Sequence, residues 1–249
     1  MVGVLKRFTS SRYRSVASRA ERVGHDRSVR VGLFDLDGTL TDPKVGITRS
    51  VQYALSSAGV SVADLDTLTP YIGPPLQDSF VALAGLSEAD AMKAVAKYRE
   101  YFTEEGIFEN VVYPGIRECL EALRSTGWRL GVATSKPTVF AERILDHFSL
   151  RSHFEVVVGA ELDGTRRYKD EVIRHALRRL EVAAHESCIM VGDREHDIIG
   201  AKVVGIRAVG VTWGFGTAEE LSGAGAEVLV THVGHLTQAM QQLVESPGS

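Results

Sequence analysis

Residues 34–41 read FDLDGTLT, in which two carboxylates, Asp35 and Asp37, stand two positions apart. The stretch closes an apolar run that begins at Val29, and such a run is typical of a strand buried on both faces. Glycine and threonine then end the strand, so both carboxylates are expected at its C-terminal edge, where open parallel α/β sheets bind ligands. Carboxylates fixed at such an edge can attack an electrophile, hold a metal ion or move a proton.

From about residue 127 onward, strand-like and helix-like segments alternate along the chain. The predicted strands cover residues 128–133, 154–158, 188–191, 207–211 and 227–230. The predicted helices cover residues 137–148 and 169–180, a segment that ends near 204, and a last one that ends near 244. Strands that alternate with helices indicate a parallel sheet covered on both faces. We therefore predict an α/β fold with a Rossmann-like core.

A segment of different character separates the first strand from this alternation. Apolar residues recur in it at helical spacing, at Ile47, Val51, Ala54, Leu55 and Ala58 and again at Ala91, Val95, Tyr98 and Phe102. No strand is predicted there. We predict an inserted all-α cap domain over residues 43–112, a core domain over 29–42 and 113–249, and a basic, poorly ordered N-terminal arm over 1–28.

Charge and composition exclude several classes of protein. No apolar stretch of the 249 residues approaches the length of about 20 residues that a membrane span needs. Residues 1–28 carry seven Lys or Arg and two acidic residues, so the remainder has a net charge of about −9, which argues against nucleic-acid binding. Cys119 and Cys188 lie in apolar segments and predict buried thiols. Without a signal-peptide core, the expected location is the cytoplasm.

A second acidic pair, Asp193 and Asp197, follows the apolar strand predicted at 188–191. The two residues lie four positions apart at a helix start, so they share one helix face. Together with Asp35 and Asp37, they would place three or four carboxylates around one point. Because such a cluster repels itself, it predicts a bound hard cation, and Mg²⁺ fits oxygen ligands and a substrate phosphate.

Residues that can hold a phosphate stand at the same predicted edge. Thr134 follows the strand at 128–133, and its hydroxyl and nearby backbone N–H groups can contact phosphoryl oxygens. Lys169 stands just before a predicted helix and offers a compact positive charge. Each residue alone is more often a solvated loop residue. The predicted phosphate-binding set is Gly38, Thr134, Ser135 and Lys169.

Four motifs in this order carry a family resemblance: DLDGT at 35–39, Thr134, Lys169, and Asp193 with Asp197. Over residues 29–245 the chain resembles the haloacid dehalogenase (HAD) superfamily of phosphohydrolases. The insertion and the sequence IGPPL at 72–76 are similar to the helical-capped subgroup of phosphoglycolate phosphatases and bacterial proteins described as 5′-nucleotidases. The resemblance also implies that the cap closes over the site and selects the leaving group.

One departure from the family pattern concerns the phosphate-binding lysine. Lys169 is followed by Asp170, where many members of the subgroup have proline. A helix can start without that proline, so Lys169 is kept as the expected residue. Arg166 and Arg167 stand close by, and a shift in register would exchange their roles with that of Lys169.

The resemblance implies a covalent mechanism. Asp35 would attack phosphorus and form an aspartyl-phosphate, while Asp37 would protonate the leaving alkoxide and then activate water. Mg²⁺ would be held by the Asp35 side chain, the Asp37 backbone carbonyl and Asp193, with Asp197 acting through water. Thr134 would neutralise phosphoryl oxygens together with Lys169.

The predicted function is hydrolysis of a small phosphomonoester, either phosphoglycolate or a nucleoside 5′-monophosphate. Tyr71, Gly73 and Pro74 of the cap are the expected substrate contacts, and the loop at 213–217 is a candidate for the entrance. An alternative is phosphoryl transfer on the same core, as in a phosphomutase or a protein-tyrosine kinase-like enzyme, although no kinase signature or P-loop occurs. A non-catalytic binding protein is the third alternative. Oligomeric state is left open.

Overall fold

The computed structural model describes residues 29–163 and 165–246, so the predicted arm at 1–28 lies outside the described residues. The strands are β1 (Val31–Phe34), β2 (Thr41–Asp42), β3 (Val111–Val112), β4 (Arg129–Pro137), β5 (Val156–Ala160), β6 (Cys188–Gly192), β7 (Arg207–Val211) and β8 (Val228–Val230). Six of them form a parallel sheet in the order β5-β4-β1-β6-β7-β8. The remaining two, β2 and β3, pair antiparallel as a short ribbon.

The helices are α1 (Lys44–Ser57), α2 (Leu76–Ala84), α3 (Glu88–Tyr101), α4 (Ile116–Ser125), α5 (Thr138–His147), α6 (Lys169–Arg179), α7 (Glu195–Val204), α8 (Ala218–Ala224) and α9 (Leu236–Glu245). They cover both faces of the sheet. The side chains of β1 alternate between these faces, so they contact both helix layers. Val31 and Leu33 join one apolar cluster with residues of α6, α7 and α8. Phe34 joins the other, with residues of α4, α5, α9 and the inserted helices. The predicted Rossmann-like α/β fold is confirmed.

The inserted segment is helical, as predicted, and it packs on the core side that contains Phe34. In α1 the buried apolar residues are Ile47, Val51, Ala54 and Leu55, which is the periodicity that predicted this helix. The prediction that the insertion contains no strand is wrong at its C-terminal end, where Val111–Val112 pairs with Thr41–Asp42. The boundaries at residues 43 and 112 stay a prediction.

The strand β4 is longer than the predicted segment 128–133. It continues through Thr134 to Pro137, with an irregular register between Ala133 and Pro137. The expectation that Thr134 follows the strand is therefore wrong: pairing with β5 resumes at Pro137 after an irregularity that sequence periodicity does not reveal. The irregular end of β4 places polar side chains at the candidate active site.

Two further sequence expectations concern burial and membranes. Cys119 and Cys188 are buried free thiols, as predicted. Within residues 29–163 and 165–246, no helix combines the length and the apolar character that a membrane crossing requires. The predicted cytoplasmic location stays a prediction.

Candidate active site

Three carboxylates converge at the C-terminal edge of the central strands. In the parallel pair β1–β6, Phe34 is opposite Val191, so the residues that follow these two strands emerge side by side. One carboxylate oxygen from each of Asp35, Asp193 and Asp197 lies within 4.8 Å of the others. All three side chains are buried, which makes their mutual repulsion strong.

Neighbouring groups hold the carboxylate of Asp193 in place. Thr39 Oγ1 donates a hydrogen bond to Oδ1 at 3.1 Å, and the Phe215 backbone N–H donates to Oδ2 at 2.8 Å. Burial, followed by the charges of Asp197 and Asp35, raises the pKa of Asp193 well above its ordinary value. The loop at 213–217, which the sequence suggested as an entrance, therefore holds the Asp193 carboxylate through the Phe215 backbone N–H.

Lys169 partly compensates this negative charge. Its Nζ donates a hydrogen bond to Asp35 Oδ1 at 3.0 Å and another to the Ala133 carbonyl at 3.2 Å. It also lies 2.7 Å from Asp197 Oδ1. Burial alone would lower the pKa of Lys169, but the charges of Asp197 and Asp35 raise it more, so the ammonium is retained. Burial also raises the pKa of Asp197, to about 6, against the opposing effect of Lys169.

The two arginines that precede Lys169 do not replace it. Arg166 pairs with Glu161, and Arg167 pairs with Asp78 of α2 in the cap. Lys169, rather than Arg166 or Arg167, is therefore the cation that lies beside Asp35.

Asp37 lies beside the cluster with a different partner, Lys136, which sequence reasoning missed. Lys136 Nζ is 2.8 Å from Asp37 Oδ2 and 4.5 Å from the centre of the Phe102 ring. Burial raises the pKa of Asp37, although Lys136 opposes the shift. Within the described part of the chain, Asp37 Oδ1 has no hydrogen-bond partner. The only sequence signal for Lys136 was its place two residues after Thr134 at a strand end.

The other predicted phosphate-binding residues are Thr134, Ser135 and Gly38. Thr134 is buried, and its Oγ1 accepts a hydrogen bond from the Lys136 backbone N–H at 3.2 Å. Ser135 and Asp37 both line one cavity, which lies between the core and the inserted helices and has a volume of about 320 Å³. Gly38, with φ of +82°, packs directly against the Asp193 carboxylate.

The three predicted cap contacts, Tyr71, Gly73 and Pro74, line this cavity as well. They lie where the 3₁₀ helix Leu65–Tyr71 leads into α2. A core residue holds this turn in place, since Arg194 donates a hydrogen bond to the Ile72 carbonyl at 2.7 Å. The structure therefore places the cap candidates and Asp37 around one cavity.

Gly38→Ala is expected to destabilise the protein more than Gly59→Ala, although both glycines have φ near +80°. A Cβ on Gly59 meets no atom within 4 Å, so only backbone strain of about 1 kcal/mol applies there. A Cβ on Gly38 overlaps the Asp193 carboxylate, which adds steric strain and brings the cost to about 3 kcal/mol or more. Chemical denaturation of both variants measures the difference, and equal losses would contradict the close approach to Asp193.

The fold and the site define an α/β enzyme with a carboxylate cluster at the sheet edge and a helical cap beside it. The family model described as haloacid dehalogenase-like hydrolase matches residues 32–211. The chain belongs to this family, which confirms the resemblance and the prediction of an enzyme of the phosphoric monoester hydrolase type.

Individual relatives carry different names. A Pseudomonas aeruginosa protein named 5′-nucleotidase is 53% identical over 76% of this chain and 85% of its own length. A Mycobacterium tuberculosis protein named tyrosine-protein kinase PtkA is 41% identical over 87% of this chain and 73% of its own length. The solved structure of a predicted phosphatase from Clostridium acetobutylicum superposes with a TM-score of 0.83 at 45% identity, over 86% of this chain and 99% of that one.

Proposed function

We propose that the chain is a Mg²⁺-dependent phosphatase that hydrolyses small phosphomonoesters through an aspartyl-phosphate. The observation that carries the proposal is the convergence of Asp35, Asp193 and Asp197 within 4.8 Å, beside a cavity that Asp37 lines. The relative named 5′-nucleotidase supports a small phosphate ester as the substrate. Phosphoglycolate and nucleoside 5′-monophosphates are the candidate substrates.

The donor set fits a hard divalent cation. Among the described residues, its side-chain donors are three carboxylates, and the Lys169 ammonium that contacts two of them leaves an excess of negative charge. Asp35, Asp193 and Asp197 would hold Mg²⁺, together with the backbone carbonyl of Asp37. When bound, the ion would neutralise charge on the phosphoryl oxygens and keep all three carboxylates ionised.

Asp35 and Asp37 divide the chemistry between them. A carboxylate oxygen of Asp35 attacks phosphorus, and the new O–P bond forms as the ester P–O bond breaks. Asp37 gives its proton to the departing alkoxide, a step supported by its raised pKa and by its Oδ1, which has no hydrogen-bond partner among the described residues. Asp37 then takes a proton from water, which attacks the aspartyl-phosphate, releases inorganic phosphate and regenerates Asp35.

The remaining residues hold the phosphoryl group. Thr134, Ser135 and the backbone near Gly38 would donate hydrogen bonds to its oxygens. Lys169 would share its ammonium between Asp35 and a phosphoryl oxygen, since it already lies within 3.0 Å of the Asp35 carboxylate. Stabilising the charge that develops on these oxygens is the main source of acceleration in such sites.

Removal of divalent metal is expected to abolish turnover of phosphomonoesters and to lower the melting temperature. Mg²⁺ at about 100 times its dissociation constant would add about 2.7 kcal/mol of stability, or roughly 5–10 °C in Tm. Thermal melts and phosphate release, with EDTA and then with excess Mg²⁺, measure both effects. The same titration on Asp193→Asn is the control and should show little Mg²⁺-dependent shift. Turnover that persists in EDTA would contradict the metal requirement.

Phosphoryl transfer to a protein tyrosine is the second candidate, and the 41% identity to the relative named tyrosine-protein kinase PtkA favours it. An aspartyl-phosphate can in principle pass its phosphoryl group to a phenol instead of water. Incubation with labelled ATP tests this route: label on tyrosine that is lost in Asp37→Ala would favour the transferase. Release of inorganic phosphate from a panel of esters, with no tyrosine label, would favour the phosphatase.

A further inference from the structure

The helix α3 contributes side chains both to the hydrophobic core and to the cavity. Ala91, Ala94 and Tyr98 are buried. A second stripe, formed by Met92, Val95 and Ala96 and followed by Arg99, lines the cavity at helical spacing, and its Val95 also packs against the hydrophobic core. Met92 remains 63% exposed although it is a large apolar side chain. An exposed apolar stripe along a cavity is a surface that a ligand can cover.

The opposite walls of the cavity are also largely apolar. Tyr71 and Leu76 come from the cap, Phe140 from α5 and Leu162 from the loop after β5. Aromatic and branched side chains of this kind favour a flat or apolar moiety over a hydrated one. The cavity volume of about 320 Å³ is large for a two-carbon leaving group, and it falls in the range that drug-sized ligands occupy.

The charges of the described residues that line the cavity balance. Its basic lining residues are Lys136, Arg99 and Arg167, and its acidic lining residues are Asp37, Glu161 and Asp163.

Most of these charges already have partners. Lys136 pairs with Asp37, and Arg167 pairs with Asp78. The guanidinium of Arg99 contacts the carbonyl of Leu162 at 3.4 Å, between the two acidic residues of that loop. Among the described residues, a substrate with a second anionic group would therefore meet no net positive charge beyond the phosphate-binding residues.

We infer that this site selects phosphomonoesters whose leaving group carries an uncharged, flat ring and rejects those whose leaving group carries a carboxylate. The inference rests on the proposed phosphatase function and narrows it. The ring would lie against the Met92–Val95 stripe while Asp37 and Ser135 face the phosphate end. A nucleoside 5′-monophosphate and an aryl phosphate share this chemistry, and phosphoglycolate lacks it.

The test compares kcat/KM for uridine 5′-monophosphate, phenyl phosphate and phosphoglycolate with saturating Mg²⁺. At least one ring ester is expected to exceed phosphoglycolate by about 30-fold or more, which is the discrimination that an apolar pocket can supply. Preference for uridine 5′-monophosphate assigns the ring to a nucleoside, and preference for phenyl phosphate assigns it to an aryl group. Phosphoglycolate turned over as well as both ring esters, or better, would overturn the inference and leave the phosphatase intact.

A matched pair of cap variants locates the ring. Met92→Ala removes an exposed apolar side chain that lines the cavity, and Leu83→Ala removes one that is 52% exposed on α2 and does not line it. Met92→Ala is expected to raise KM for the preferred ring ester roughly fivefold, as fits the loss of a partly covered side chain, and to leave KM for phosphoglycolate unchanged. Leu83→Ala should change neither. Equal effects of both variants would overturn the assignment of the stripe.

Titration calorimetry of the three esters with the Asp35→Asn variant separates this inference from the proposed function, because it measures binding without hydrolysis. Uridine 5′-monophosphate or phenyl phosphate that binds more tightly than phosphoglycolate supports the cavity assignment even if the wild-type protein hydrolyses none of them. Tighter binding of phosphoglycolate would overturn it. Absence of hydrolysis with selective binding would reject the phosphatase function alone.

Discussion

Asp35→Asn is expected to lower kcat for phosphomonoesters by a factor of about 10⁴ or more, while the fold is retained. An amide oxygen is a far weaker nucleophile than a carboxylate, so the aspartyl-phosphate would no longer form. The substitution keeps the shape of the side chain and an acceptor for Lys169 Nζ, which lies 3.0 Å from Asp35 Oδ1. It also removes one of three mutually repelling charges, so the melting temperature without metal should be unchanged or higher.

The matched control for this variant is Asp170→Asn. Asp170 is the residue after Lys169, but its carboxylate faces Arg174 at 3.9 Å and does not belong to the cluster. Its substitution should leave kcat within about twofold, since surface changes of this kind have small effects. Phosphate release and circular dichroism measure the two variants side by side. Undiminished hydrolysis in Asp35→Asn would remove Asp35 as the nucleophile.

Lys169→Met is expected to destabilise the metal-free protein by about 3 kcal/mol, or roughly 6–12 °C in Tm, because it leaves buried carboxylates without a counter-charge. Lys169 Nζ lies within 3.0 Å of Asp35 and Asp197, and all three side chains are buried. Mg²⁺ should restore part of the loss, since it supplies positive charge at the same carboxylates. Turnover should still fall by about 10²–10³-fold through the loss of the phosphate-binding ammonium.

An exposed ion pair supplies the control. Lys93 Nζ lies 2.9 Å from Asp90, a distance close to that in the buried pair, but both side chains are mostly exposed. Lys93→Met should leave the melting temperature unchanged within error, because water and salt screen exposed pairs. If Lys169→Met melted together with the wild type in metal-free buffer, the compensating role of Lys169 would be wrong.

Sequence periodicity located most of the elements around the site. The apolar run before Asp35, the alternation of strands and helices and the apolar spacing of α1 and α3 were sufficient, because burial imposes these patterns on the chain. Sequence periodicity did not predict the short or irregular elements. The ribbon partner Val111–Val112 and the irregular end of β4 depend on pairing with distant strands, which no local pattern encodes.

Lys136 shows what a local pattern lacks. No sequence motif singled it out, yet it is buried, pairs with Asp37 and lies over the ring of Phe102. Its partners stand 99 and 34 positions away in the sequence, so only the folded chain brings them together. The same holds for Phe215, whose backbone N–H holds Asp193 from a loop that the sequence suggested as an entrance.

By itself, the sequence determined the family, the α/β core with its helical insertion and the residue types of the chemistry, since these follow from motifs and apolar periodicity. Tertiary structure alone decided the partners of the cations near the carboxylate cluster: Lys136 pairs with Asp37, and the two arginines that precede Lys169 pair with Glu161 and Asp78. The physical reason is that electrostatic energy depends on distance and burial, whereas a sequence records only order along the chain.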